Sequence, residues 1–353
     1  MSNNVIRIPA EKLQAACQRI LEKVGVPPQQ AAIIAEATVE GDLRGVESHG
    51  VLRLPAYVHR VQRGLMSPVT NLLTVRERGA ALLVDAQRGF GQVAGVQAMD
   101  IAVEKARQYG IGMVAVQNAN HFGVAAYYAM RALPHRMIGL LASNAAPSMA
   151  AWGGAKAVLG TNPICIAIPT GLDVDIVLDM ASSQVARGKI RLAATRGESI
   201  PLGWALDAQG NPTQDPAEAL KGTLLPMGGP KGYGLALAVE VLAGVMTGSD
   251  FSVHLASVHD LDRPTSVGFV VQAIDLTTFI AWDEFVSRME SLVQEIRNSP
   301  RAPGVERIYL PGEIEWRKSQ ERRRAGVPVA RSVLRELLGL AEEVGVVLDL
   351  PAA

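Results

Sequence analysis

Ala81-Leu82-Leu83-Val84-Asp85, then Ala86-Gln87-Arg88-Gly89-Phe90-Gly91-Gln92-Val93-Ala94-Gly95, then Met113-Val114-Ala115-Val116: the reading of this stretch decides the fold. The first and last segments are short apolar runs of the buried-strand kind, and Val96, Met99, Val103 and Ala106 mark a helix between them. Strand, helix, strand is the order of a crossover unit and places the chain in the α/β class. The glycine run imitates a dinucleotide-binding fingerprint, but two requirements fail. Fingerprint glycines leave the strand directly, whereas Ala86, Gln87 and Arg88 intervene here. The acid expected at the end of the second strand is absent, since Val116 leads to Gln117 and Asn118. The expectation is an α/β fold that is not a Rossmann fold.

Towards the C-terminus the alternation continues. Apolar runs at 138–142, 164–168 and 176–180, bounded by Gly, Pro and Asn, read as strands. Residues 187–229 are polar and rich in Gly and Pro, and read as long loops over a site. Pro230-Lys231-Gly232-Tyr233-Gly234 opens a helix apolar nearly all round, which predicts burial. Val267 to Ile274 reads as a strand, and Phe285, Met289, Leu292 and Ile296 as one face of a helix. The tail from Trp316 reads as helical, with Val333, Leu337, Leu340 and Val344 on one face. Towards the N-terminus, Leu13, Cys17, Ile20 and Val24 recur at helical spacing and Gly25-Val26-Pro27-Pro28 stops that helix. A second helix runs to Gly41 and a third towards Arg63-Gly64.

Composition narrows the function. Of 353 residues 48% are hydrophobic but only 5% aromatic, so the core is aliphatic. Lys plus Arg equals Asp plus Glu at 34 each, and a net charge of zero argues against a nucleic-acid binder or a polybasic membrane anchor. The longest apolar candidate for a span, Leu235 to Met246, carries Glu240 and falls short of the ~20 residues needed. Met1-Ser2-Asn3-Asn4-Val5-Ile6-Arg7 has no apolar signal-peptide region. Cys17 and Cys165 lie in apolar segments without ligand spacing, so reduced cysteines, a cytoplasmic location and no metal are expected.

Two histidine frames carry the chemistry: Glu47-Ser48-His49-Gly50-Val51-Leu52-Arg53 and Asn118-Ala119-Asn120-His121-Phe122-Gly123. Each sits where an apolar stretch breaks off, a position from which a histidine can reach solvent and titrate near neutral pH. Arg53 follows His49 by four residues, which on a helical turn puts both on one face, a carboxylate fork beside a proton donor. Two readings stand for the first frame: this site, or a helix capped by Ser48 with His49 and Arg53 exposed. His121 reads either as a site residue or as a polar turn after a strand, and the neighbouring Asn118, Asn120 and Gly123 favour the site. His59, His135, His254 and His259 have no such frames and read as surface residues. Asp179, at a strand's carboxyl end before Met180-Ala181-Ser182-Ser183, reads as a ribose or phosphate contact or as a helix cap. Lys231 at a helix start attracts phosphate. Arg187, Lys189 and Arg191 form a basic cluster that leans towards the extra phosphate of NADP over NAD, or are a solvated loop.

The order of these frames resembles the malate/L-lactate dehydrogenase family of the second type, with ureidoglycolate dehydrogenase, 2,3-diketo-L-gulonate reductase, sulfolactate dehydrogenase and the Δ1-piperideine-2-carboxylate reductases among its members. The matching segments are GDLRGVESHGVLRLPAYVHRVQRG, NANHFGVAAYYA, WGG, GTNP, DMASSQVARGKI, GGPKGYGLAL and YLPGE, spread from residue 41 to residue 313. The resemblance implies a non-Rossmann NAD(P)-dependent oxidoreductase fold, usually a homodimer, with a helical N-/C-terminal domain and an inserted cofactor-binding domain. The boundaries it suggests are 1–70 plus 296–353 for the helical domain, 71–121 plus 246–295 for a substrate and dimer α/β domain, and 122–245 for the cofactor. It implies His49 and His121 as acid/base candidates, Arg53 as the carboxylate grip and Ser48 as an orienting group. Asp179, Met180, Ala181, Lys231, Gly232 and the stretch Gly304, Val305 and Glu306 fall on cofactor-contact positions, with Arg187 and Lys189 beside them. One departure concerns Asn144-Ala145-Ala146-Pro147, where many relatives carry hydroxyl or acidic side chains. It argues against ureidoglycolate and for compact substrates: malate, lactate, sulfolactate or a cyclic imino acid. The expected activity is hydride transfer between nicotinamide and C2 of a small 2-oxo or 2-hydroxy acid or a cyclic 2-imino acid. The alternative is a catalytically inactive nucleotide-sensing binding protein of the same fold.

Overall fold

The computed structural model describes residues 5–353, so the first four residues of the signal-peptide reading lie outside the described residues. Strand β1 (Val5–Ile8) leads into helices α1 (Ala10–Lys23), α2 (Pro28–Leu43) and α3 (Leu54–Gln62). Then follow β2 (Leu73–Arg78), β3 (Ala81–Asp85), α4 (Gly91–Tyr109), β4 (Ile111–Ala119), α5 (Ala125–Ala129) and β5 (Met137–Ser143). The middle of the chain holds β6 (Met149–Ala150), β7 (Ala157–Leu159), β8 (Ile164–Ile168), β9 (Ile176–Met180), α6 (Arg187–Arg196), β10 (Ala205–Leu206), α7 (Pro216–Lys221), β11 (Thr223–Leu224) and α8 (Pro230–Glu240). It closes with β12 (Val267–Asp275), α9 (Trp282–Asn298), α10 (Glu313–Ala325), β13 (Val327–Ala330) and α11 (Arg331–Glu343).

The main sheet has seven strands in the order β2-β3-β4-β12-β5-β8-β9. β3 and β4 are parallel, while β12 runs antiparallel to both β4 and β5, and β8 antiparallel to β5 and β9. Strands β3, β4, β5 and β9 therefore point the same way, and their carboxyl ends share one edge. That edge carries the loops after Asp85, Ala119, Ser143 and Met180, the usual place for a site in an α/β sheet.

Separate apolar clusters hold the parts. One lies between the sheet and α4–α5, around Met99, Val116, Tyr128 and Phe269. A second joins α1, α2, α3 and α11 across the β1–β13 pair, around Leu13, Ile34, Tyr57 and Leu337. A third packs Met149, Ile190, Ala219 and Ala236 about the four-stranded sheet β10-β11-β6-β7.

The glycine run opening α4 makes room for protein. A Cβ at Gly89 would lie 2.6 Å from Thr70 Oγ1, at Gly91 2.2 Å from the Asn120 carbonyl, and at Gly95 2.7 Å from Tyr128 Cδ1. Three expectations need correction. Residues 187–229 are not long loops, because α6, β10, α7 and β11 occupy much of them, with Ile190 and Ala193 supplying a buried face. Helix α8 is not buried all round: Leu237, and beyond its end Val241, Leu242, Val245 and Met246, are exposed, although Ala236 and Val239 are not. The tail is not continuously helical, since Val327–Ala330 leaves α10 to pair with β1. Cys17 and Cys165 are free thiols buried in different clusters.

Candidate active site

Helix α2 delivers the first frame. After Leu43 the chain makes two short 3-10 turns, Glu47–His49 and Val51–Arg53, with Gly50 between them at φ −88°, ψ −150°. The Asp42 carboxylate lies under that junction: Oδ2 accepts from the Val51 N–H at 2.8 Å, and a Cβ at Gly50 would fall 2.0 Å from Oδ1. Burial pushes the Asp42 pKa up to about 7. Arg322 of α10 donates to the Asp42 carbonyl and pairs with Glu47 at 2.7 Å, clamping the segment from outside.

His49 and Arg53 thus meet through a reversal at Gly50 rather than along one continuous helical turn. Arg53 Nε donates to the Ser48 carbonyl at 2.7 Å and Nη1 contacts His259 Nε2 at 2.5 Å. Three of its five N–H groups remain for a ligand. Ser48 caps no helix; its hydroxyl lies 2.9 Å from His49 Nδ1. His259, read from the sequence as a surface residue, is exposed but belongs to the site. Its loop is held by Arg60 of α3, a fully buried arginine that donates to the carbonyls of Asp260 and Arg263. No local signal points to His259, which lies 206 residues from its partner.

His121 follows β4. Asn118 and Asn120 face away from the chemistry and fasten the loop. Asn118 Nδ2 donates to Asp85 at 2.8 Å, and Asn120 Nδ2 to the Arg88 carbonyl at 2.8 Å. Asn118 adopts φ 53° and Gly123 φ 82°, the two left-handed positions that fold the loop back on itself. His121 stacks on His49 with ring centroids 5.4 Å apart. Its Nδ1 receives the Tyr57 hydroxyl at 2.7 Å and the Gly123 N–H at 3.3 Å. Two donors on Nδ1 leave the neutral ring's proton on Nε2. Tyr57 is a site residue the sequence reading passed over; its signal was an aromatic hydroxyl on the inner face of α3 beside Leu54 and Val58.

Neither histidine titrates near neutral pH. Burial, helped by the charge of Arg53, brings His49 down to about 4. Burial, then His49, Arg53 and His259, holds His121 well below the usual imidazole range. Both residues are half-buried, and their lowered pKa values leave the rings neutral at pH 7.

The cofactor-side residues cluster in part. The loop after β9 is tied to the start of α8, with Met227 N–H donating to the Ser182 carbonyl at 2.9 Å and Gly228 N–H to Gln184 at 3.3 Å. Asn162 joins them, its amide donating to the Ala236 carbonyl at 2.9 Å and to Glu240 at 2.6 Å. Lys231, in the first turn of α8, is exposed and has no carboxylate partner among the described residues. Asp179 accepts from the Ala126 N–H at 2.9 Å. Arg187 donates to the Leu220 carbonyl at 2.5 Å, while Gly188 places α6 against Ser48, 3.9 Å from its built Cβ to the serine Cβ. Gly304–Glu306 lie in an exposed loop. Pro311 and Gly312 beyond it pack on Val177 of β9. Asn144 is spent on structure, bonding the Asp250 carbonyl and the Gly268 N–H at 2.7 and 3.1 Å. No group of three or more His, Cys, Asp or Glu among the described residues is arranged to hold a metal. Among the described residues no helix is long and apolar enough to cross a membrane.

An arginine with free N–H groups, two apposed imidazoles and a buried phenol, set at the carboxyl edge of an α/β sheet, are groups that can hold a small anion and move a proton. The model of the malate/L-lactate dehydrogenase family matches residues 8–338, and the chain belongs to that family. It is 40% identical over 354 residues to the malate dehydrogenase of Pyrococcus abyssi, covering 98% of this chain and 97% of the other. It is 40% identical over 330 residues to the L-sulfolactate dehydrogenase of Methanocaldococcus jannaschii, covering 94% and 95%. The solved sulfolactate dehydrogenase from M. jannaschii superposes with a TM-score of 0.92 at 39% identity, covering 97% of this chain and 98% of that one.

Proposed function

We propose that the chain is an NAD(P)-dependent oxidoreductase that interconverts a small 2-oxo acid, or a cyclic 2-imino acid, with its reduced form. The observation that carries this reading is Arg53, with three uncommitted N–H groups, beside the stacked pair His49 and His121. Arg53 takes the substrate carboxylate as a fork and fixes which face of C2 is presented. Ser48 and His49 orient the oxygen or nitrogen on C2. His121 moves the proton through Nε2: the ring first takes up a proton on Nδ1, which donates to the Tyr57 oxygen, and the imidazolium then gives its Nε2 proton to the substrate and is left neutral with its proton on Nδ1. The substrate's negative charge raises the pKa of both rings, so the proton is taken up from solvent as the 2-oxo acid anion binds.

The unpaired Lys231 with Gly232 at the N-terminus of an 11-residue helix, and the tied loop at Asp179, Met180 and Ala181, suit the phosphates and ribose of a nicotinamide nucleotide. When bound, that nucleotide supplies or accepts the hydride at C2. Arg187 and Lys189 remain for an NADP phosphate; Gly304, Val305 and Glu306 complete the cofactor set. The same reading keeps three units, 1–70 plus 296–353, 71–121 plus 246–295, and 122–245, in a cytoplasmic homodimer. The exposed apolar run Leu237, Val241, Leu242, Val245 and Met246 suits a subunit contact. Oxidation of NADH and NADPH followed at 340 nm against pyruvate, oxaloacetate, sulfopyruvate, 2,3-diketogulonate and Δ1-piperideine-2-carboxylate tests the assignment. Turnover of one compound supports it; no turnover of any with either nucleotide overturns it.

A further inference from the structure

We propose that Arg60 is a positioning residue for substrate capture: it pins the loop at 256–265 to α3, so that His259 fixes the guanidinium of Arg53 as a rigid fork for the acid's carboxylate. The inference rests on the oxidoreductase reading, which makes Arg53 the carboxylate grip, and deepens it. Arg53 caps the start of α3, and Tyr57 and Arg60 follow it at four and seven residues, the spacing of one helix face. Tyr57 spends its hydroxyl on His121 Nδ1. Arg60 spends its Nη groups on the His259 loop: Nη1 donates to the Asp260 carbonyl and Nη2 to that of Arg263 at 3.3 Å. One helix face thus mounts Arg53, His121 and His259 together.

Stability alone does not call for an arginine here. The Arg60 side chain is fully buried, its Nε has no hydrogen-bond partner among the described residues, and the Asp260 carboxylate is taken by Arg263 at 2.9 Å. Charge taken out of water is expensive, and a well-packed apolar side chain at such a place is often as stabilising or more so. What an apolar side chain cannot supply is donors for the loop. Thr265 closes the loop's base, Oγ1 donating to the Ala256 carbonyl at 2.8 Å, but His259 and the tip beyond it are exposed. Val258 packs against the helical core on one side of His259, and Arg60 holds the Asp260 carbonyl on the other. Fixed through both neighbours, His259 brings Nε2 to 2.5 Å from Arg53 Nη1. A guanidinium only donates, so His259 accepts there. With Nε already on the Ser48 carbonyl at 2.7 Å, the planar guanidinium is held at two points, which sets the direction in which its remaining N–H groups face a ligand. Arg63 adds a second hold from an exposed position, donating to the Leu261 carbonyl at 3.2 Å.

The test uses the intact protein with saturating NADH or NADPH. Calorimetry measures the affinity for oxamate, an unreactive isostere of pyruvate, in the native chain, Arg60→Leu, His259→Gln and the double variant. Hydrogen exchange read by mass spectrometry follows the loop, and steady-state kinetics with oxaloacetate, sulfopyruvate and pyruvate give KM and kcat. Arg60→Leu is expected to weaken oxamate binding and raise KM roughly tenfold, the loss of one oriented charge-assisted hydrogen bond, with kcat within about threefold of native and faster exchange across 256–265. In the His259→Gln background it is expected to add less than about twofold, because it acts through His259, whereas a general structural role would weaken both backgrounds alike. Arg60→Lys, which keeps a charge and a donor, is expected to lose less affinity and serves if Arg60→Leu does not fold. Native oxamate affinity in folded Arg60→Leu, or in Arg60→Lys with a loosened loop, overturns the inference, as does an undiminished loss in the His259→Gln background. If oxamate binds but no 2-oxo acid is turned over, the oxidoreductase reading fails while the binding cycle still decides the role of Arg60. If the native chain does not bind oxamate, Arg53 is no carboxylate grip and the inference falls with it.

Discussion

Replacing Tyr57 by Phe removes one oxygen from a buried position and nothing else. The hydroxyl lost is the one 2.7 Å from His121 Nδ1, and the ring is fully buried against Phe90. The Gly123 N–H, at 3.3 Å, is then the sole donor to that nitrogen. In the resting state the bond is neutral and worth about 1 kcal/mol, a factor of roughly five in the population of the Nε2–H form. When His121 carries charge in the transition state, the bond is charge-assisted and worth about 1.5–3 kcal/mol, which converts to a factor of roughly 10–150. The expected result for Tyr57→Phe is therefore a fall in kcat of roughly 10- to 150-fold with little change in KM for the 2-oxo acid, because Arg53 is untouched. A missing hydroxyl leaves only a small gap, so the thermal midpoint should fall by less than about 4 °C. Steady-state kinetics, with nitrogen-15 spectra of His121 to read its tautomer, check both parts. A kcat within twofold of the native value, or an unchanged tautomer, would refute the reasoning.

Further expectations concern the neighbouring groups. With free-site histidine pKa values at about 4 for His49 and lower than usual for His121, protons must be taken up with the substrate, so kcat/KM for 2-oxo acid reduction should rise about tenfold per pH unit from pH 8 down to pH 5.5. A flat profile across pH 6–8 would contradict the depressed values. Asp42 binds its proton more tightly folded than unfolded, so it stabilises the fold below its ordinary carboxylate range and that contribution is lost as pH rises through about 7. Asp42→Asn, which keeps the acceptor for Val51, should reduce the loss of thermal stability between pH 5 and pH 8; an unchanged slope counts against a buried acid there. Gly50→Ala forces a Cβ to 2.0 Å from Asp42 and should displace Ser48 and Arg53, lowering kcat/KM at least ~100-fold. Native-like kinetics would show that the junction tolerates the methyl. Glu313 is buried and binds Arg297, Arg307 and Arg317, so Glu313→Gln should loosen the 304–306 loop and raise KM for the nucleotide more than KM for the acid. Equal effects on both would detach that loop from the cofactor.

Much of the frame was legible because it is local. The strands at 81–85, 164–168 and 176–180 are apolar runs punctuated by Gly, Pro and Asn, and they form as read. What failed was whatever depends on distant partners. Ile190 and Ala193 are buried only because α6 meets the small sheet, so the polar stretch around them reads as loop. The apolar residues beyond α8 read as core because a sequence does not say which side of a helix lacks a neighbour. At the site, the His49 and His121 frames were visible, but their charge state was not: neutrality follows from burial and mutual proximity, neither of which is encoded locally. His259 and Tyr57 reached the site through long-range packing, the first on a loop held by Arg60 and the second on the inner face of α3.

The central claim is that hydride reaches C2 of an acid gripped by Arg53 and protonated by His121. The most direct test supplies NADH or NADPH deuterated at C4 on either face, with oxaloacetate, sulfopyruvate or pyruvate, and locates the label in the product by mass spectrometry. The account predicts one deuterium at C2 from one face of the nucleotide. His121→Ala should slow its transfer roughly 100- to 10,000-fold, and Arg53→Ala should mainly raise KM. An unlabelled product, or a His121→Ala rate equal to that of the native chain, would contradict it.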